Sequence, residues 1–363
     1  MDQKLSPAQC HSLCFVAMLS PLLRLLPGVV TDWAGSAGWV SCLLSFLPLL
    51  ALYVILNRLQ GSFPQSVGFD HIFTRIFGQI GGKSLLFLWS LWLVFHSGFL
   101  LRSGAHRFID TIYPTARPPF FIWVTAAICT VAALGHLKPL ARSAKIFLPL
   151  LVAVLGLVIL FSFGDVELAF LLPVKKSQLG GILSAIPIAA EAGGAALVNL
   201  AFLNKYTSTH TKSRSFLPWL AAAAALNTVL CIVAVGCLGK TYTSALAYPF
   251  FVLARDLTVF SGVERIEALV VGLWLLPDFV LISLELILAS DHLVQLLQPK
   301  VANPKRAVIL LLSPAAVIIA LTLAPNTQTM AQWSEKIVPA VQLFWAFFII
   351  PLLWITMCIR GKF

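Results

Sequence analysis

Long apolar runs separated by short polar stretches form the pattern of this chain. Ten runs approach the roughly 20 residues that an α-helix needs to cross the hydrocarbon core of a bilayer. They predict membrane spans at residues 10–30, 39–56, 84–105, 120–134, 146–163, 179–202, 216–238, 266–290, 307–323 and 337–359. The mixed stretch 60–82 predicts a connecting segment at the membrane surface, and 245–260 predicts a short apolar helix on the outer side. The sequence therefore predicts an all-α polytopic membrane protein, with residues 1–363 in a single membrane domain.

Composition supports this class and excludes a soluble enzyme. Hydrophobic residues make up 59% of the chain, charged residues only 11%, and the mean hydropathy is +0.93. In a soluble domain the net charge of +11 would suggest nucleic acid. Here we expect lipid and no nucleic acid as a partner, because the positive charges follow the positive-inside rule.

Loop charges predict the orientation of the bundle. If both termini are cytoplasmic, the inner loops carry most of the Lys and Arg residues, with only Asp2, Asp70 and Asp291 as acids. The outer loops, to which Arg102 and Arg107 are assigned, are nearly balanced. Both termini are therefore expected in the cytoplasm.

The sixth predicted span interrupts its own helix. Pro187 removes a backbone donor, the Gly193-Gly194 pair lowers helix propensity, and Glu191 lies between them. A carboxylate and irregular backbone at this depth are typical of a binding site. The first span has a matching interruption from Ser20-Pro21 to Pro27. Such breaks predict a 5+5 inverted repeat, with halves at about 8–163 and 179–359 and discontinuous helices 1 and 6.

Each candidate contact at these breaks has a structural alternative. Glu191 is predicted to hold the ammonium of a ligand or to carry a coupling proton, or else to pair with Arg24. The backbone N–H groups of residues 192–195 are predicted to bind a ligand carboxylate, or else Gly193 and Gly194 serve only close helix packing. Arg24 is expected to pair with Glu191 until a ligand displaces it.

Spans three and eight add further polar groups. His96 and Ser97 lie near the middle of span three, and Asp278 and Glu285 lie seven residues apart on one face of span eight. The alternatives are a core imidazole for His96 and an interhelical hydrogen bond for Asp278. The predicted ligand contacts are Ser20, Pro21, Arg24, His96, Ser97, Glu191, Ala192, Gly193 and Gly194, and the residues predicted to couple a proton or ion are Glu191, Asp278 and Glu285.

Other chemistry has little support in the sequence. The seven cysteines are odd in number and mostly within apolar segments, which is typical of small buried hydrophobes. Cys10-His11 with Cys14 has the spacing of metal ligands, but no second cluster accompanies it. No phosphate loop, nucleophile elbow or pair of hydrolase carboxylates appears, so we expect no enzyme, no cofactor and no metal.

Several short motifs give the chain a family resemblance. They are Phe63-Pro64, Gly135-His-Leu-Lys-Pro-Leu-Ala-Arg142, Phe147-Leu-Pro149, Leu171-Leu-Pro173-Val and Val263-Glu-Arg265-Ile-Glu267. In order and spacing the chain resembles the spore germination permease family, the B-type membrane subunit of germinant receptors in the amino acid/polyamine/organocation superfamily. It departs from that pattern at Arg24, where a small or apolar residue is usual, and at Gly38-Trp39, which replaces Asp-Ala-Trp.

The resemblance implies a LeuT-like bundle of ten spans in the inner membrane of an endospore. There it would act with A-type and C-type partner subunits in sensing small nutrients, commonly amino acids. The ligand would bind at midplane between helices 1, 3, 6 and 8. Two alternatives stay open: a stand-alone amino acid transporter coupled to protons or cations, and a scaffold whose site is vestigial.

Overall fold

The computed structural model describes residues 4–63, 68–207, 216–256, 266–323 and 327–361. The side chains of residues 24–25, 256, 266–273 and 327 lie outside the described part. The helices are α1 (Pro7–Ala34), α2 (Gly38–Leu44), α3 (Phe46–Gly61), α4 (Phe69–Thr111), α5 (Pro118–Leu134), α6 (Leu137–Ser162), α7 (Leu168–Leu171), α8 (Leu179–Leu203), α9 (Leu217–Leu238), α10 (Lys240–Ala245), α11 (Pro249–Asp256), α12 (Ile266–Leu297), α13 (Pro304–Thr322), α14 (Thr327–Gln332), α15 (Val338–Leu343) and α16 (Ile350–Arg360). Two π-helical turns, Trp333–Ile337 and Phe344–Ile349, join α14, α15 and α16 into one rod.

The helices agree with the predicted membrane class. Among the described residues, eight helical stretches are long and apolar enough to cross a bilayer. The first part of α1, Pro7–Leu23, and α5 are shorter apolar stretches, and together these ten match the ten predicted spans. The all-α membrane fold is confirmed. α11 lies within the stretch 245–260 where one apolar helix was expected, and residues 257–260 of that stretch are outside the described part.

α4 consists of two helices that meet at the non-helical residue Gly78, and the second of them extends span three to Thr111. α4 begins at Phe69, inside the stretch expected to connect spans at the membrane surface, and kinks at Gly78, where φ is +80°. Its first turns bury Phe69, Ile72, Phe73 and Ile76, the i, i+3, i+4, i+7 face of an amphipathic helix. The stretch before Gly78 is thus an amphipathic helix that packs on the protein and precedes span three, and its place at the membrane surface stays a prediction.

Helices 1 and 6 are continuous, which corrects the expected discontinuity. α1 contains Pro21 and Pro27 and α8 contains Pro187, yet both are α-helical from end to end. A proline removes one backbone hydrogen bond, and the turns on either side retain theirs. The N–H groups of residues 192–195 therefore lie inside a helix and bond to the preceding turn. These donors are therefore not available to a ligand carboxylate in this structure.

The core of the bundle forms where α1 packs on α8 and α4 packs on α12, with α1 also touching α12. These pairs join the first span with the sixth and the third with the eighth. That is the pairing expected of corresponding helices in two halves, although the limits of the two repeats stay a prediction.

Both ends of the described chain lie at the start of α4. The Leu5 N–H donates to the Tyr206 carbonyl at 2.7 Å, and Arg360 Nη1 donates to the Ile76 carbonyl at 2.5 Å. Lys205 Nζ lies 3.2 Å from Asp70 Oδ2 on the same side. We call this side of the bundle the terminus face and the opposite side the far face. The terminus face is predicted to be cytoplasmic.

Candidate ligand-binding site

A buried polar cluster lies halfway along α4 and α12. His96 Nδ1 lies 2.6 Å from Glu285 Oε1, and Ser97 Oγ donates to Glu285 Oε2 at 3.1 Å. Gln342 Nε2, from α15, lies 3.0 Å from His96 Nε2. Because an amide nitrogen only donates, His96 Nε2 accepts, and its Nδ1–H donates to the carboxylate. The Glu285 carboxylate thus joins α12 to α4, and the His96 ring joins α4 to α15.

A small cavity adjoins this cluster. It measures about 20 Å³, which is room for about one water molecule. It is lined by Cys14, Ala17, Met18, Pro21, Trp89, Trp92, Leu93, His96, Ala192, Ala195, Ala196, Asn199, Leu281, Glu285 and Gln342. α1, α4, α8, α12 and α15 thus all contribute to its wall.

The polar part of this wall is rich in hydrogen-bond acceptors. Asn199 Oδ1 and Gln342 Oε1 are buried and accept no hydrogen bond within the described part of the chain. The carboxylate of Glu285 lies on the same wall. Two unpaired amide oxygens and a carboxylate around one space favour a guest with N–H donors and positive charge.

Four of the predicted residues line this cavity: Pro21, His96, Ala192 and Glu285. Ser97 reaches it indirectly, through Glu285. The prediction that helices 1, 3, 6 and 8 surround one site therefore agrees with the position of the cavity. Their roles as ligand contacts stay a prediction.

The other predicted residues of the sixth span lie elsewhere. Glu191 is buried but does not line the cavity. A Cβ on Gly193 would lie 2.7 Å from Leu49 Cδ1, and one on Gly194 would lie 3.0 Å from Phe347 Cε2. The two glycines thus make the close helix contacts given above as their alternative. The proposed pair of Arg24 and Glu191 depends on the Arg24 side chain, which is outside the described part.

A second buried cluster lies closer to the far face. Ser20 Oγ donates to Asp278 Oδ1, and Arg107 Nη2 lies 3.0 Å from Asp278 Oδ2. The Arg107 guanidinium also lies 5.3 Å from the centre of the Trp274 ring, at cation–π distance. This cluster joins α1, α4 and α12.

Arg107 and Arg102 correct the loop assignment made from the sequence. Both were placed in an outer loop, but α4 continues to Thr111 and leaves them only 4% and 7% exposed. Removing them from the loops lowers the positive charge of the far face. The charge asymmetry between the two faces becomes stronger.

A wider vestibule opens at the far face. It measures about 430 Å³ and is lined by Gly28, Val29, Asp32, Trp33, Ser103, His106, Asp110, Ser244, Leu246, Ala247, Tyr248, Met330, Ala331, Ser334, Glu335 and Lys336. His106 is the neighbour of Arg107, and Pro21, a cavity residue, is the neighbour of Ser20. The Ser20–Asp278–Arg107 cluster therefore lies between the vestibule and the cavity.

Ion pairs close the terminus face of the bundle. Asp70 pairs with Lys205, and Asp291 accepts from the Tyr206 hydroxyl and pairs with Lys305. Asp70 and Asp291 were assigned to inner loops from the sequence, but both side chains are buried. These contacts join α4, α12, α13 and the end of α8.

Sequence reasoning missed Gln342, Asn199 and Arg107. Gln342 and Asn199 are single amides within long apolar runs, which is a usable signal since such groups need a partner inside a membrane. Arg107 gave a misleading signal, because it follows an apolar run and is typical of a loop flank. Only the length of α4 showed that it is buried.

The fold is similar to that of known transporters. Its structure is similar to that of MhsT in complex with L-phenylalanine, with a TM-score of 0.65, 14% identity and coverage of 100% of both chains. It is also similar to a substrate-bound, outward-open Na⁺-coupled sialic acid symporter, with a TM-score of 0.59, 12% identity and coverage of 94% of this chain and 79% of that one. These are LeuT-fold transporters, and at such identities the likeness establishes the fold alone.

Sequence comparison gives the family. A search of curated protein sequences finds no match. The family model described as spore germination protein matches residues 4–330, which confirms the resemblance noted from the motifs. The protein is thus an integral membrane protein of the permease type, and it belongs to the spore germination protein family.

Proposed function

We propose that the protein is a germinant-sensing membrane subunit that binds an amino acid in the cavity beside Glu285. The observation that carries this proposal is the wall formed by Glu285, Asn199 and Gln342, which contains one carboxylate and two buried amide oxygens that accept no hydrogen bond within the described part of the chain. An ammonium group supplies donors and a positive charge, so it satisfies all three. The likeness to a structure solved with L-phenylalanine supports the same ligand class.

Binding requires the cavity to open. Its present volume of about 20 Å³ holds about one water molecule, so an amino acid enters only when the helices that line the cavity shift from this arrangement. A ligand that binds the rearranged bundle better shifts the population toward it. We infer that A-type and C-type partner subunits read this shift in the spore inner membrane, with both termini in the cytoplasm. We infer no enzymatic activity.

A thermal-shift screen of the purified chain tests the proposal. Free amino acids, sugars and nucleosides are compared, and an amino acid should raise the melting temperature with rising concentration. At about 100 times Kd the expected stabilisation is about 2.7 kcal/mol. A sugar or nucleoside that stabilises the protein when no amino acid does would contradict the proposed ligand. No stabilisation by any compound would favour the scaffold alternative.

A pair of variants on α8 tests whether the ligand binds in this cavity. Ala192→Leu fills the cavity wall and should abolish the shift. Ser184→Leu changes an exposed position on the same helix and should leave the shift intact. Equal shifts in the two variants would show that the ligand binds elsewhere.

A second candidate function is a stand-alone transporter coupled to protons or cations. It is favoured by Asp278 and Glu285, two buried carboxylates on one face of α12, because such groups in membrane helices often carry coupling ions. Reconstituted vesicles that contain only this chain decide between the two. Uptake of labelled amino acid under a pH or Na⁺ gradient supports transport, whereas binding without uptake supports the sensing subunit.

A further inference from the structure

Arg107 is a buried guanidinium whose hydrogen bonding is incomplete. Its side chain lies 5% exposed against Asp278, with Nη2 3.0 Å from Oδ2. Nevertheless, neither Nε nor Nη2 has a hydrogen-bond acceptor within the described part of the chain. The contact with Asp278 is thus an ion pair without hydrogen-bond alignment.

The two unsatisfied donors share one edge of the guanidinium. Nε–H and Nη2–H point the same way, and a carboxylate binds this edge through both of its oxygens. Asp278 does not do so, because its Oδ1 accepts from Ser20 and only its Oδ2 approaches Arg107. Leaving buried donors unpaired is costly, so this edge favours a second carboxylate.

Arg107 itself lines neither the vestibule nor the cavity, but residues next to its cluster in the chain do, so a ligand reaches that edge only when the bundle rearranges, as the proposed function already requires. On the far-face side, Ser103 and His106 line the vestibule one turn before Arg107 and directly beside it. On the inner side, Pro21 follows Ser20, and Leu281 lies one turn from Asp278; both line the cavity. Leu281 also lies one turn from Glu285, between the two acidic clusters.

We propose that Arg107 recognises the carboxylate of the ligand and that Asp278 holds the guanidinium until that carboxylate takes the Nε–Nη2 edge. This inference rests on the proposed function, and it makes a carboxylate a requirement for ligands of this site. Arg107 then determines specificity, while Asp278 is its positioning residue.

Matched ligands test this requirement. The purified full chain in nanodiscs is titrated with L-alanine, L-valine and L-phenylalanine and with the carboxamide of each. The wild type should bind the acid of a matched pair about 10- to 100-fold more tightly than the amide, as expected for charged hydrogen bonds. Arg107→Lys keeps a cation for Asp278 but lacks the two-donor edge. It should bind the acid only as tightly as the amide and change the amide affinity less than about twofold.

Two further variants serve as a control and as a substitute for Arg107→Lys. Arg75→Gln, at an exposed position of the same helix, should keep the wild-type preference. Should Arg107→Lys fail to fold, Arg107→Gln with Asp278→Asn removes both charges at nearly constant shape and should also lose the preference. If the ion pair is only structural, this double variant should instead keep the wild-type preference for the acid.

The outcomes separate this inference from the proposed function. Acid and amide bound equally by the wild type would overturn the role of Arg107 and leave an amino-group site in place. A preference that survives in Arg107→Lys would overturn it as well. If no acid or amide binds, both the role of Arg107 and the amino-acid site are wrong.

Discussion

Two carboxylates on α12, Asp278 and Glu285, occupy similar positions in different surroundings. Both are buried, at 2% and 3% exposure, and each joins α12 to α4. Asp278 contacts Arg107, which carries a permanent charge, whereas Glu285 contacts the His96 imidazole and the Ser97 hydroxyl, neither of which is a permanent cation. The far-face cluster thus contains a permanent ion pair, whereas the central cluster contains hydrogen bonds and no permanent cation.

This difference predicts unequal consequences when a partner is lost. A buried charge without its counter-ion costs several kcal/mol, whereas a neutral group without a hydrogen-bond partner costs about 1–3 kcal/mol. The far-face cluster should therefore be the more sensitive to single substitutions, and the central cluster the more adaptable. The central cluster can therefore exchange its internal hydrogen bonds for contacts with a ligand.

The largest effect is expected for Arg107→Met. It leaves Asp278 as an unpaired buried charge and should lower the free energy of unfolding by about 3–5 kcal/mol. Thermal unfolding of the purified protein in detergent measures it. Combining the change with Asp278→Leu should recover most of the loss, and a double variant as unstable as the single one would contradict the account.

A smaller loss is expected for Glu285→Leu. His96 Nδ1–H and the Ser97 hydroxyl lose their acceptor, at a cost of about 1–3 kcal/mol by the same measurement. Glu285→Gln keeps an acceptor oxygen and should cost clearly less. If Glu285→Leu were as damaging as Arg107→Met, the contrast between the two clusters would be wrong.

Gln342→Leu tests a single hydrogen bond within the central cluster. It removes the donor to His96 Nε2 and should cost about 1 kcal/mol. Gln328→Leu changes an exposed amide of the same rod and serves as the control, with no measurable loss expected. Equal melting temperatures for the two variants would show that the contact with His96 contributes nothing.

The smallest effect is expected on the terminus face, for Lys305→Met. Lys305 is 45% exposed, and Asp291 keeps the hydrogen bond from Tyr206. Removing such a partly solvated pair should cost less than about 1 kcal/mol, and the difference should shrink as salt is added. A loss above 2 kcal/mol in unfolding experiments would place Asp291 with the charge-dependent cluster instead.

Local sequence signals identified His96 and Glu285 in the cavity wall, but they missed Asn199 and Gln342. His96, Glu285 and Asp278 stand out because a polar side chain is unusual in a long apolar run, and each proved to be buried against other helices. Glu191 gave the same signal but does not line the cavity. An isolated polar residue thus indicates burial against protein, and it does not indicate which neighbour it meets.

Backbone predictions at the proline and glycine positions were less successful. Pro187 and the Gly193-Gly194 pair predicted an unwound segment, yet α8 is continuous. Small residues lower helix propensity, but they also let Leu49 and Phe347 approach α8 closely. Packing against those side chains favours the helix at positions where propensity alone predicts a break.

The sequence by itself determined the class and the ten spans, because a bilayer requires long apolar helices whatever their neighbours are. Its motifs determined the family. The tertiary structure alone decided which polar groups meet: Gln342 with His96, Arg107 with Asp278, and a cavity bounded by five helices. These contacts join residues more than 150 positions apart. Hydropathy reports the depth and length of a helix, and only packing sets which faces of two helices meet.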